Sequence, residues 1–309
     1  MAAGKCKGNT AQLTANAFVI RLLASFPSYC PIRPSKAYSL ASSSLYNLPK
    51  NLTAQSNDNN YAVLPKIIFS DIDGTLIYSV KRRKVGDIVI EYKDGEPISC
   101  ITARQAEIFP RLTNVIPVTT RSIEQYKRIE FAKFGFSPKY ALCDNGGTLL
   151  VDGEVNAEWA KWSGDIYREC ETEMSRFREL LERDPNRSFE IRLVDGLFLF
   201  TKSLRPSATL DFLGCGELCE CFATGEKVYV VPRKLGKGAA VKRFARLYGI
   251  AEFAAAGDSL MDLSMLNSAN TAVFADTIPE NAVTASVKLS CPRGDFTDFV
   301  TEFADKLQK

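Results

Sequence analysis

Short apolar runs that stop abruptly in turn-forming sequence alternate with segments opened by capping residues, and this alternation restricts the fold more than any other feature of the chain. Lys66-Ile-Ile-Phe-Ser70 runs into Asp71-Ile-Asp-Gly-Thr75, as expected of a buried strand entering a loop. Thr102 with Gln105, and Ser122 with Gln125, each fit a capping box; the helices they open flank a strand at 115–119. Residues 85–92 and 97–100 predict a hairpin about Asp94-Gly95, and Tyr140-Ala-Leu-Cys143 predicts a strand closed by Asp144-Asn145-Gly146-Gly147. The rhythm breaks between 149 and 224. There the pattern gives a hairpin at 149–155, a polar helix at 166–183 and a strand pair at 189–194 and 197–201 around Asp195-Gly196. Val228-Tyr-Val-Val231, a helix at 238–248, a strand at 252–256 and an apolar run at 272–275 are expected to resume the parallel sheet. The expected fold class is therefore α/β: a doubly wound, mostly parallel, Rossmann-like sheet from residues 63–148 and 226–309, interrupted by an α+β domain at 149–225.

Composition narrows the chemistry. With no histidine, the chain cannot use a Ser-His-Asp or Cys-His nucleophile pair or a His-ligated zinc, so any general acid or base is a carboxylate, Lys, Tyr or Cys. The net charge of +3 comes from the N-terminal segment, where Lys5, Lys7, Arg21, Arg33, Lys36 and Lys50 precede the first acid, Asp58; subtracting those six leaves −3 for residues 58–309. A slightly acidic globular part argues against nucleic-acid binding. No run approaches 18 apolar residues, which argues against a membrane span. Nine cysteines at irregular spacing lack the density of a disulfide scaffold and point to a reducing compartment. Residues 1–62, rich in Ser, Ala, Asn and basic side chains, read as a transit peptide with linker, a disordered basic tail, or sequence upstream of the true start. The expected location is the cytoplasm, or an organelle interior if the segment is a transit peptide.

Four segments together resemble the haloacid dehalogenase superfamily, in the order that superfamily uses. They are Asp71-Ile-Asp73-Gly74-Thr75 after a strand; Thr119-Thr120-Arg121, similar to Thr-Gly-Arg but with Thr120 in place of Gly; Gly236-Lys237-Gly238-Ala239-Ala240; and Gly257-Asp258-Ser259-Leu-Met-Asp262. The third is like the subgroup with an α/β cap, as in Cof-like proteins and sucrose-phosphatase. The resemblance spans 63–309 and makes the domain at 149–225 a cap. It implies that Asp71 attacks phosphorus, that Asp73 serves as acid and base, and that Asp71, Asp73 (through its carbonyl), Asp258 and Asp262 form the metal site. It implies as substrate a small phosphorylated metabolite, commonly a sugar phosphate.

The residue types suit that chemistry on physical grounds. A carboxylate approaching a phosphate monoester meets a repulsion of roughly 4 kcal/mol per charge pair at 4 Å and an effective dielectric of 20. A magnesium ion, which takes hard oxygen ligands, would offset it. Lys237 and Thr119 would clamp the transferring phosphoryl group; Gly74 would let backbone approach it and Thr75 would brace the loop. Arg121, Asn145 and Arg192 are candidates to touch the leaving group, with Thr120 beside them. A lone Asp-x-Asp-Gly can also be a turn or a calcium loop, but Leu76-Ile-Tyr78 supplies none of the further acids a calcium loop needs. Cys215, Cys219 and Cys221 lack a fourth ligand at zinc-finger spacing. A phosphotransferase or mutase would share Asp71 and Asp73, a dehalogenase would not use the second Asp, and a binding module would lack one of the chemical positions.

Overall fold

The computed structural model describes residues 66–309. The expectations for residues 1–62 lie outside that span. In chain order the elements are β1 (Ile68–Ser70), β2 (Tyr78–Ser79), β3 (Ile88–Lys93), β4 (Glu96–Ile101), α1 (Ala103–Ile108), β5 (Val115–Pro117), α2 (Ile123–Lys127), β6 (Tyr140–Cys143), β7 (Thr148–Val151) and β8 (Glu154–Val155). They continue as α3 (Ala157–Arg183), β9 (Arg192–Val194), β10 (Phe198–Lys202), α4 (Pro206–Leu213), β11 (Cys219–Thr224), β12 (Lys227–Pro232), α5 (Lys237–Leu247), β13 (Ala254–Gly257), α6 (Leu263–Leu266), β14 (Thr271–Ala275), β15 (Val287–Cys291) and α7 (Phe296–Leu307). None of the described helices is long and apolar enough to cross a membrane.

Five strands make an all-parallel sheet in the order β15-β14-β13-β1-β5. Side chains alternate along a strand, so each strand feeds two faces. Ile68, Ala254 and Ala256 join one cluster with Phe296, Phe299, Val300 and Phe303 of α7. Phe69 and Ala255 join another with Val241 and Phe244 of α5 and Met265 and Leu266 of α6. Burial on both faces is why these strands read as unbroken apolar runs. The chain leaves β1 toward β5 on one side and returns to β13 on the other. The loops after β1 and β13 therefore diverge at a switch point, where sheets of this kind open a crevice at their C-terminal edge.

A four-stranded sheet, β11-β12-β10-β9, forms the inserted unit with α3 and α4. The Asn156 side chain caps α3 by accepting from the Trp159 N–H, and Ile166, Cys170, Met174, Phe177 and Leu181 recur every three or four residues to make its buried stripe. That stripe shares a cluster with Leu199, Val228 and Val230 of the sheet. The helix stops at Asp184, which precedes Pro185 and so disfavours helical backbone.

Two expected placements are corrected. Val228-Tyr-Val-Val231 does not resume the parallel sheet; as part of β12 it pairs antiparallel with β10 and β11. An apolar run of this length suits the middle of either sheet, and the long-range pairing decides. The hairpin at 149–155, β7 with β8, extends β6 instead of the inserted sheet, and β6 is tied to the core by a bridge between Val118 and Leu142. Both capping boxes form as read, as does the hairpin about Asp94-Gly95.

Phe177 lies fully buried at the centre of the α3 stripe. Phe177→Ala is expected to cost about 3–5 kcal/mol of unfolding free energy in a urea titration, the range for a large core deletion, whereas a loss below about 1 kcal/mol would show that the inserted unit repacks freely around the void.

Candidate active site

The loops after β1, β5 and β13 and the first turn of α5 meet at the C-terminal edge of the parallel sheet. The Asp71 N–H donates to the Ala256 carbonyl at 2.9 Å, carrying the β1–β13 ladder one residue past β1 and fixing where its side chain starts. Lys237 opens α5 and is 2% exposed; its Nζ donates to Asp71 Oδ1 and to Asp262 Oδ1, each at 2.6 Å. The other oxygen of Asp262 accepts from the N–H groups of Asp258 and Ser259 and from the Ser259 hydroxyl, at 3.2, 3.0 and 3.0 Å. Carboxylate oxygens of Asp71, Asp258 and Asp262 lie within 4.8 Å of one another, the one such group of metal-capable side chains among the described residues. Gly74, at φ +88°, makes room for it: a Cβ there would meet Asp258 Oδ2 at 2.1 Å. The Thr75 hydroxyl leans on Asp71 Oδ2 at 3.4 Å.

Like charges this close and this dry disfavour one another. Burial and the charges of Asp262, Asp258 and Asp73 hold the Asp71 carboxyl well above its usual range, against the opposing pull of Lys237. Burial and Asp262 push Asp258 up to about 6, although Arg293 reaches its Oδ2 at 3.1 Å and works the other way. Burial alone would raise Asp73 too, but the hydrogen bonds and charge of Arg121 outweigh it and hold Asp73 below the ordinary carboxylate range. The cluster is therefore short of positive charge, and its hard oxygen donors fit a divalent cation such as magnesium.

The remaining sequence candidates are distributed as follows. Thr119 is buried; its Oγ1 accepts from the Arg121 N–H at 3.1 Å and its carbonyl from the Asn145 N–H at 2.8 Å. Thr120 is half-buried beside it. Asn145, in left-handed backbone at φ 59°, lines a cleft of about 740 Å³ with Lys237, Ser259 and Met261 of the core and Glu220, Phe222 and Thr224 of β11. Arg121 is turned away from such a cleft role, because its fork is spent on Asp73 and Glu91. Arg192 is not gathered with the others: it is exposed on the edge strand β9, paired with Glu190 and lying 4.7 Å above the Phe189 ring. Sequence reading missed Glu91, buried on β3, and Arg293, beyond β15; neither stands in a motif. Cys219 is buried against the Met174 sulfur and Cys215 is exposed.

No protein-family model matches the sequence, and no curated protein matches it. Among solved structures, the chain is similar to a sucrose-phosphatase from Synechocystis sp. in complex with sucrose and phosphate, at 12% identity and a TM-score of 0.53, over 78% of this chain and 98% of that one. It is also similar to protein 0175 of Thermoplasma acidophilum, at 14% identity and a TM-score of 0.54, over 79% and 99%. At such identities the likeness is one of fold. What the chain shares with them is an α/β Rossmann-like core of parallel strands into which a second, antiparallel unit is inserted.

Asp144, beside Asn145, is fully buried, and burial together with Asp195 of the inserted unit pushes its carboxyl up to about 8. Unfolding would return it to about 4, so its contribution to stability is full below pH 4 and is lost as the pH rises toward 8. Asp144→Asn, which also tolerates the backbone φ of 55°, is therefore expected to raise Tm over the parent at pH 9, with the gap closing toward pH 4. A gap independent of pH, measured by thermal melts across that range, would show that Asp144 does not titrate there.

Proposed function

We propose that this protein is a magnesium-dependent phosphatase that hydrolyses a small phosphate monoester through an aspartyl-phosphate on Asp71. The observation that carries the reading is the pairing of buried Asp71 with Lys237 at the mouth of the crevice, next to Asp73 and within one cluster with Asp258 and Asp262. Asp71, Asp258 and the carbonyl of Asp73 would hold the magnesium, with Asp262 orienting Lys237. When bound, the ion supplies the positive charge that lets a carboxylate approach a phosphate.

An oxygen of Asp71 attacks phosphorus and the bond to the leaving oxygen breaks, with Asp73 delivering a proton to that oxygen. Water then attacks the same phosphorus; Asp73 takes its proton, the bond to Asp71 breaks and inorganic phosphate leaves. Asp73 favours its ionised form in the resting site. The arrival of a phosphate dianion adds negative charge nearby and raises its affinity for the proton it must donate. Lys237 and Thr119 hold the equatorial phosphoryl oxygens. The cleft beside Lys237 falls within the roughly 300–1,000 Å³ of small-molecule sites, and its mixed polar and apolar lining suits a sugar leaving group. The sucrose and phosphate held by the Synechocystis protein support that class. The inserted sheet β11-β12-β10-β9 with α3 and α4, as the cap, would read the leaving group, with Asn145 and the β11 side chains in place of Arg192.

The test is release of inorganic phosphate from a panel of phosphorylated metabolites without added acceptor. Activity is expected with magnesium, to vanish in excess chelator and to return with magnesium. Asp71→Asn should lower turnover by at least about 10³-fold while keeping the parent's circular dichroism spectrum. More than a few per cent residual activity, with deamidation excluded by mass spectrometry, would remove Asp71 as nucleophile.

A further inference from the structure

All five donors of the Arg121 guanidinium are engaged. Nε and Nη2 donate to Asp73 Oδ2 and Oδ1, each at 2.7 Å. Nη1 and Nη2 donate to Glu91 Oε1 and Oε2 at 2.7 and 2.9 Å, and Nη1 also donates to the Gln125 carbonyl at 3.1 Å. One planar fork thus grips two carboxylates at once, the geometry in which arginine is most directional. The two carboxylates are unalike. The Asp73 side chain is 54% exposed to the crevice, whereas that of Glu91 is 0% exposed.

Glu91 is itself immobilised. The Ser99 hydroxyl donates to its Oε2 at 2.6 Å, and Arg128 Nε donates to its Oε1 at 2.9 Å. The pairing of β3 with β4 shifts register on both sides of Glu91, an irregularity that leaves Ile90 and Glu91 both buried where strict alternation would expose one of them. A second bridge, to Ile129, ties the same residue to the segment after α2.

We propose that Glu91 is a positioning residue for Asp73, acting through Arg121: the β3–β4 hairpin holds the guanidinium, and the guanidinium holds the acid at the leaving oxygen. The inference rests on the phosphatase reading of the site. A phosphate dianion at Asp71 would compete with Asp73 for a free guanidinium. Two bonds to a buried carboxylate keep the fork from following the phosphate, so Asp73 stays aimed at the leaving group throughout the first step. Arg128 braces Glu91 but does not touch Asp73.

The decisive readout is dependence on the leaving group. An alkyl oxygen leaves only when protonated, whereas p-nitrophenolate leaves unaided, and kcat/KM reports the chain of steps through that departure. Glu91→Gln is expected to lower kcat/KM for glycerol phosphate by about 10²-fold, the lower end of what a positioned acid contributes, and for p-nitrophenyl phosphate by less than about threefold. Arg121→Lys, which loses the fork, should reproduce that split. Arg128→Gln should change both esters by the same factor. Equal losses on the two esters in Glu91→Gln, or the same split in Arg128→Gln, would overturn the proposal. If Glu91→Gln does not fold, Glu91→Asp, which keeps the charge but is one methylene too short to hold both nitrogens, takes its place with the same expected split. Should the parent hydrolyse neither these two esters nor any member of the panel, the phosphatase reading fails, and the tether is judged by NMR. The Arg121 Nη–H signals, from the two nitrogens that donate to Glu91 and assigned by their loss in Arg121→Lys, should be protected from solvent exchange in the parent and unprotected in Glu91→Asp. Protection unchanged in Glu91→Asp would overturn the tether as well.

Discussion

Lys237 is an ammonium group buried between two buried carboxylates. Taking any one of these charges out of water costs several kcal/mol, and the cost is offset only when the partners sit at hydrogen-bonding distance with their remaining lone pairs satisfied. That demand reaches far into the fold. Asp71 is placed by the last backbone bonds of the β1–β13 pair, Asp262 by three donors of the turn after β13, and Lys237 by the start of α5. The start of α5 is set in turn by close packing, since a side-chain carbon at Gly238 would strike the Ser264 carbonyl oxygen at 2.4 Å. Sheet register, helix position and charge balance are thus one problem with one solution.

Much of this was legible because the relevant rules are local. A capping box involves residues three apart, and Thr102 and Ser122 satisfy it within the sequence itself. The turns at Asp94-Gly95 and Asp195-Gly196 place both residues in left-handed backbone, which an aspartate followed by glycine tolerates better than almost any other pair. The short motifs after β1, β5 and β13 could be assigned to one end of one sheet once those strands were taken as parallel neighbours, although the roles of their residues remain chemical proposals. What stayed hidden was decided over distance. The side of the molecule that β12 joins depends on its partners β10 and β11 and not on its own four apolar residues. Arg192 looked useful as a fork in a strand, but that strand is the outer edge of its sheet. Glu91 sits in an ordinary strand pattern, where a glutamate reads as solvent-facing, and only the register shift turns it inward to meet Arg121 and Arg128.

The layered arrangement of the two sheets is compatible with very different sequences. At 12% identity the Synechocystis protein is covered over 98% of its length, so the likeness lies in the layout of layers. Cores tolerate wide hydrophobic substitution when volume and pattern are kept.

The missing side chain at Gly74 has a consequence for how this sequence can change. Because the Asp258 carboxylate occupies the place where a side chain at 74 would begin, two segments far apart in the sequence share a single volume. Neither can drift alone: even one added methyl at 74 would have to displace Asp258, and with it the salt bridge from Arg293. The first and last motifs of the site are therefore heritable only as a unit, a coupling enforced by excluded volume before any chemistry is selected.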